Sequence, residues 1–300
     1  MQHIIPHLWF DKEAKEAAAF YTSILPDSSI THISTLHNTP SGDTDIVSFT
    51  LAGQSFMAIS AGPYFKLNPS VSFHIRCKTV EEVDKIWDRF SEGAKVLMEL
   101  GEYPFSKRYG WLQDKFGLSW QISHAGDEPF TQRIIPVITY VGNVAGKAGE
   151  AIGFYTSIFS KKIPNPPSKI LMSMKYGKGE EPDKEGTIKY AAFTLLGQEF
   201  GAMDSAHEHD FSFSEAISFM INCDTQEEID YFWEQMSADP KAEQCGWLKD
   251  KFGLSWQVTP TILGDLMNSS DQKRVARVTE AFMKMKKFDI AALKKAAEGT

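Results

Sequence analysis

Apolar residues along this chain recur with two periods, every second residue and every third to fourth, and the order in which the periods follow one another repeats. Ile4 to Phe10 alternates as a strand, and Glu13 to Leu25 then sets Ala14, Ala17, Ala18, Tyr21 and Ile24 or Leu25 on one helical face. Three strand-like runs follow, Ile30 to Leu36, Asp45 to Leu51 and Ser55 to Ser60, with Gly53-Gln54 as a tight turn between the last two. The order then restarts with a strand from Val71 to Cys77. Thr79, with Glu82 three residues on, starts a helix that buries Val83, Ile86, Trp87 and Phe90. Short strands near Lys95 to Met98, Tyr109 to Gln113 and Leu118 to Ile122 close the pattern, the last two joined by the turn Asp114-Lys115-Phe116-Gly117. A βαβββ module thus occurs twice in succession.

That pair of modules is itself duplicated. Ile4-Ile5-Pro6 returns as Ile134-Ile135-Pro136, and Phe20-Tyr21-Thr22-Ser23-Ile24 returns unchanged as Phe154-Tyr155-Thr156-Ser157-Ile158. The stretches from Gly110 to Ile122 and from Gly246 to Val258 agree at 11 of 13 positions. A repeat of this length is a domain period, which predicts a first domain over 1–125 and a second over 134–260. A polar linker from His124 to Arg133 lies between them. The fold class is α+β: each domain pairs two modules whose curled, mixed or antiparallel sheets enclose a concave face. The segment 261–300 has no repeat partner, and its apolar spacing predicts C-terminal helices that dock on the rest or present a partner surface.

Composition narrows the partners. The 300 residues carry a formal net charge of -8 and no long Lys/Arg run, which excludes nucleic acid and an anionic membrane surface as expected partners. No run of 18 apolar residues and no leader pattern occurs, so the expected location is the cytoplasm. The three cysteines, Cys77, Cys223 and Cys245, show no CxxC spacing and read as reduced thiols. The duplicated architecture predicts a monomeric pseudo-dimer or a homodimer.

Candidate chemistry follows from the strand faces. Alternation turns Ile5, His7 and Trp9 to the hollow, and on the fifth strand Ser72, His74 and Arg76 oppose the core face of Val71, Phe73, Ile75 and Cys77. His7, His74 and Gln121 are therefore expected to meet, as a metal-binding or acid-base set or as ordinary half-buried polar residues bonded to backbone. The second copy has Val137, Met220, Asn222 and Gln257 at these places, without a His pair. The string His207-Glu208-His209-Asp210 is a second metal-like pattern, most simply a solvated loop. The stretch from Lys175 to Lys189 reads as an exposed hairpin loop. Trp9, Trp111 and Trp247 suit an aromatic lining, whereas Trp120 and Trp256 fall on the core face.

Pro6-x-Leu8-Trp9-Phe10-Asp11, the helix ending Phe20-Tyr21, the strand Gly117-Leu118-Ser119-Trp120-Gln121 and the tail Met283-x-Met285-Lys286-Lys287-x-Asp289-Ile290-x-x-Leu293 together resemble the vicinal oxygen chelate superfamily. This is the glyoxalase, bleomycin-resistance and dioxygenase group, and the likeness is to its PhnB-like branch, which often bears the inherited label 3-demethylubiquinone-9 3-methyltransferase. The resemblance implies tandem glyoxalase-like domains and a divalent metal held by side chains on module strands. Carried over, those ligand positions fall on Gln121 and Gln257, on or near Ala58 and Ala202, and on or near Ser72 and Ser218, so the metal set is mostly erased. No resident cofactor is expected; a divalent metal on His7, His74 and Gln121 is the weaker candidate. The cavity candidates are His7, Trp9, His74, Gln121 and Gln257. Three readings follow: a protein binding a small organic ligand, a metal-dependent lyase, isomerase or dioxygenase using the first domain's cavity, and a non-catalytic scaffold. Methyl transfer is not expected, because no Gly-x-Gly turn joins a strand to a helix.

Overall fold

Alternation makes the strands and small residues seat the helices. In the computed structural model, which describes residues 4–39, 41–126, 129–269 and 271–299, β1 (Ile4–Phe10) buries Leu8 and Phe10 on one face. Helix α1 (Ala14–Ile24) buries Ala14, Ala17, Ala18 and Tyr21, and three small side chains let its backbone approach closely. Strands β2 (Ser29–Thr39), β3 (Gly42–Leu51) and β4 (Gln54–Ser60) form an antiparallel meander. Its last turn puts Ala52 and Gly53 at φ 48° and 77°, the left-handed pair that matches strand twist.

The second module holds β5 (Val71–Cys77), α2 (Val80–Phe90), β6 (Lys95–Tyr103), β7 (Ser106–Gln113) and β8 (Ser119–His124). Thr79 caps α2, its hydroxyl accepting Glu82 N–H at 3.2 Å. The second copy supplies β9 (Ile134–Tyr140), α3 (Ala148–Lys162), β10 (Lys169–Lys175), β11 (Ile188–Leu195), β12 (Gln198–Asp204), β13 (Ile217–Cys223), α4 (Gln226–Met236), β14 (Trp247–Lys249) and β15 (Ser255–Pro260). Helices α5 (Ile262–Met267), α6 (Gln272–Met283) and α7 (Ile290–Glu298) make up the tail. No helix among the described residues is long and apolar enough to cross a membrane.

The modules do not pair within each copy as the repeat suggests. The eight-stranded sheet runs β10-β11-β12-β9-β5-β8-β7-β6, so it joins the second module of copy one to the first module of copy two. Strand β9 lies antiparallel on β5, with Ser72 opposite Val137 and His74 opposite Ile135. An open edge on β5 would expose unpaired N–H and C=O groups, and the next module in the chain covers it. The linker's end is pinned there: Arg76 donates to Gln132 O and forms a two-bond ion pair with Glu199, while Gln132 accepts Glu199 N–H and donates to Glu199 O, both at 2.8 Å.

One compact unit contains residues 1–7 with 218–300, and the other residues 8–217. The second sheet has seven strands. The smaller unit holds its β13, β14, β15 and the start of β1, and the larger unit the rest of β1 with β2, β3 and β4. The core of the larger unit gathers Tyr21, Phe73, Phe90 and Trp120, with Phe90 and Trp120 ring centres 4.8 Å apart.

Candidate functional site

Residues directly opposite in a ladder share a sheet face. In the eight-stranded sheet, Ser72 matches Ser119, His74 matches Gln121 and Arg76 matches Ser123. Trp111 matches Gln121, and Gln113 matches Ser119. These side chains form one polar face, opposite the core face of Phe73, Ile75, Trp120 and Ile122. Across β9 the face continues to Val137 and, on β12, to Gly201. A Cβ on Gly201 would lie 3.0 Å from the Tyr190 hydroxyl and 3.1 Å from Val137, so the glycine lets the Tyr190 ring lie across the face.

Most of the polar atoms on this face satisfy one another. The Gln121 amide accepts from the Tyr109 hydroxyl at 2.9 Å and donates to Ser72 Oγ at 2.8 Å. Trp111 Nε1 donates to Ser119 Oγ at 2.7 Å, and His74 Nε2 lies 2.7 Å from Ser123 Oγ. Burial first, then the Arg76 charge, lowers the His74 pKa to about 4. Burial also pushes the Tyr109 hydroxyl well above its usual range. The set is therefore electrically neutral near pH 7: it offers oriented donors, acceptors and aromatic edges, and Arg76 is already held by Glu199.

A cleft of about 650 Å³ opens at one end of this face, lined by Asn68, Lys95, Gln113, Glu208, His209 and Phe211 among others. Gln113 stands two residues past Trp111 and pairs in register with Lys95, so the cleft floor is continuous with the polar face. The string His207-Glu208-His209-Asp210 forms part of the wall without acting as a chelate. His209 Nε2 lies 2.8 Å from Ser205 Oγ and its ring packs by Phe211, while His207 points toward Asp183 at 3.7 Å. Among the described residues no three His, Cys, Asp or Glu side chains converge to hold a metal. The glycines before α3, Gly142 and Gly146, open no anion site either, because the Asp204 carboxylate already accepts Ala148 N–H at 3.0 Å.

Of the residues singled out in the sequence, the structure brings His74 and Gln121 together. His7 belongs to the smaller unit, its ring edge-on to Trp247 at 5.6 Å, its Nδ1 buried without a partner, and its pKa lowered by burial to about 4. It follows β1, which parts from the second module of its own copy. Gln257 lies in the same unit and donates to Ser218 Oγ at 2.9 Å, repeating the Gln121–Ser72 pair. Trp9 is in the larger unit; its Nε1 donates to Gly62 O at 2.8 Å and its ring meets Phe65. Ala202 matches Ile138 on the core face, so Gly201 is the β12 residue on the polar face. Tyr109 and Gln113, legible in the sequence only as strand ends, join the face by period two from Trp111. Lys95 and the 208–211 wall carry no local signal.

A family model described as 3-demethylubiquinone-9 3-methyltransferase matches residues 2–123 and again 132–259. No curated protein matches the chain. Among solved structures, a PhnB protein from Bacillus cereus is 41% identical over 41% of this chain and 100% of its own, with a TM-score of 0.39. Glyoxalase I from Zea mays is 11% identical over 90% of this chain and 98% of its own, with a TM-score of 0.52, a likeness of fold. The fosfomycin resistance protein FosX from Listeria monocytogenes is 17% identical over 39% of this chain and 88% of its own, with a TM-score of 0.32.

Proposed function

Because the chain belongs to the 3-demethylubiquinone-9 3-methyltransferase family, a PhnB-like branch of the vicinal oxygen chelate superfamily, we propose that it binds a small organic ligand on the concave face of the eight-stranded sheet. We read the superfamily's metal site as largely lost. The observation that carries this reading is the Gln121–Ser72 hydrogen bond at 2.8 Å. At positions where the superfamily places metal ligands, an amide and a hydroxyl satisfy each other, and the amide's oxygen is taken by Tyr109. A carboxylate and an imidazole there would be held apart by a cation; a neutral pair needs none. The nearest imidazole, His74, already bonds Ser123.

The ligand enters by the cleft beside Lys95 and Gln113 and rests against Trp111. An aromatic or carbonyl compound suits that lining, since Leu97 and Phe211 supply apolar area and Gln113, its nitrogen held by Gly117 O and Leu67 O, supplies an amide oxygen. The family's printed activity is not carried over: the Gly-x-Gly strand-to-helix turn that cradles a cofactor in doubly wound folds does not occur before α1, α2 or α4, and before α3 the Asp204 carboxylate already takes the Ala148 N–H behind Gly142 and Gly146.

The test is titration of the full chain with a panel of small aromatic and carbonyl compounds, read by tryptophan fluorescence and calorimetry. A saturable response is expected, weakened roughly tenfold in Gln113→Ala by loss of one hydrogen bond to the ligand and its fluorescence signal reduced in Trp111→Phe. Binding undiminished in both variants, or a flat panel, removes the reading.

A further inference from the structure

The three tail helices line an open cavity of about 460 Å³ whose lining includes Leu266, Asp271, Arg274, Arg277, Lys294 and Glu298. Some of these charges have evident work. Arg277 Nε donates to Ala296 O at 2.9 Å and its Nη2 to Ala297 O at 2.8 Å, closing the carbonyl end of α7, where a helix leaves acceptors unpaired. Asp271 caps α6, one carboxylate oxygen accepting Lys273 N–H at 3.0 Å and Arg274 N–H at 3.2 Å.

Two cations have no such employment. The Arg274 Nε is buried and has no hydrogen-bond partner, and neither the Arg274 guanidinium nor the Lys294 amine pairs with an acid among the described residues. Glu298 lines the same cavity and forms no ion pair with either of them there. A buried donor left unmet is unfavourable, and a guanidinium is a planar fork that matches two oxygens on one carbon or phosphorus. Open volume, an orphaned guanidinium donor and a second free cation thus coincide in one place.

We propose that this cavity binds a small oxyanion, a carboxylate or phosphate group, gripped by Arg274 and Lys294. Arg277 holds the α7 wall in place, and Asp271 and Glu298 offset part of the positive charge of the lining. It is independent of the sheet cleft, which lies in the other unit.

Calorimetric titration of the full chain with inorganic phosphate and with succinate, against sodium chloride of equal ionic strength, tests it. Saturable heat with phosphate or succinate and none with chloride is expected, and the better of the two names the oxyanion class. Binding should weaken roughly tenfold or more in Arg274→Gln and in Lys294→Ala, with a matching loss of the ligand-induced rise in melting temperature. Lys294 is exposed, so its variant remains folded even if Arg274→Gln unfolds the tail. No saturable heat with either anion, or undiminished binding in Lys294→Ala and a folded Arg274→Gln, overturns the proposal.

Discussion

The carboxylates of Asp114 and Asp250 hold the same three donors in the two copies. Asp114 accepts Phe116 N–H at 2.8 Å, Leu118 N–H at 3.0 Å and Trp120 Nε1 at 2.9 Å; Asp250 accepts Phe252 N–H, Leu254 N–H and Trp256 Nε1 at 2.8, 3.1 and 2.9 Å. The repeated Asp-Lys-Phe-Gly-Leu-Ser-Trp string is thereby a hairpin that fixes its own core tryptophan, not a catalytic motif. Asp114→Ala strands three buried donors and should cost about 3 kcal/mol or more, with Asp114→Asn milder, read as urea midpoints. The turn and the core tryptophans were legible because they depend on near neighbours; the carboxylate bond to the indole was not. His7 supports a pH prediction. Its folded ring stays neutral down to about 4, whereas an unfolded histidine takes its proton near 6.5. Between those values the unfolded state binds more protons, so stability falls as pH is lowered from 6.5 to 4, by at most about 3 kcal/mol for this ring. In His7→Val, which installs the residue found at the equivalent Val137, the urea midpoint should drop less between pH 7 and pH 4.5. Equal drops in the two proteins would show that His7 is not the titrating group.

Among elements, the tail replaces a strand. Copy one pairs β7 with β6, but in copy two the residues before β14 form only an isolated bridge from Gln244 to Trp247. The tail fills the gap: Cys245 N–H donates to Met285 O at 2.8 Å and Gly246 N–H to Lys286 O at 2.7 Å. Gly246 is essential to this docking, because φ is +84° and a Cβ would sit 2.4 Å from the Phe288 ring. The equivalent Gly110 admits Trp87 of α2 in the same manner, at 2.3 Å. Gly246→Ala should destabilise the smaller unit by more than about 1 kcal/mol and speed hydrogen exchange at the Cys245 and Gly246 amides. Slow exchange in that variant would mean the tail docks by other contacts. Helical spacing and the cap at Thr79 were readable locally. That the tail meets β14 was not, since amphipathic spacing says a face is covered without saying by what.

At the scale of the whole molecule, chain connectivity decides what the repeat leaves open. Periodicity defines each βαβββ module, yet every module offers an edge that any other could complete. The sequence places His74 with Gln121, which lie in one module, while His7 lies in another. The cleft was hidden for the same reason: Asn68, Lys95 and Phe211 converge only after β9 docks on β5. A chain cut in the linker tests this pairing. The eight-stranded sheet draws β5 to β8 from one fragment and β9 to β12 from the other, so co-expressed fragments 1–126 and 129–300 should co-purify as one complex of each. Expressed singly, each fragment has an uncovered β5 or β9 edge and should self-associate or aggregate. Arg76→Ala in the first fragment removes the two-bond pair with Glu199 and the bonds to Gln132, and should weaken the complex by severalfold or more. Two fragments that each remain monomeric and ignore one another would show that the halves close their own sheets, and the ligand face described above would then have to be rebuilt from a different set of strands.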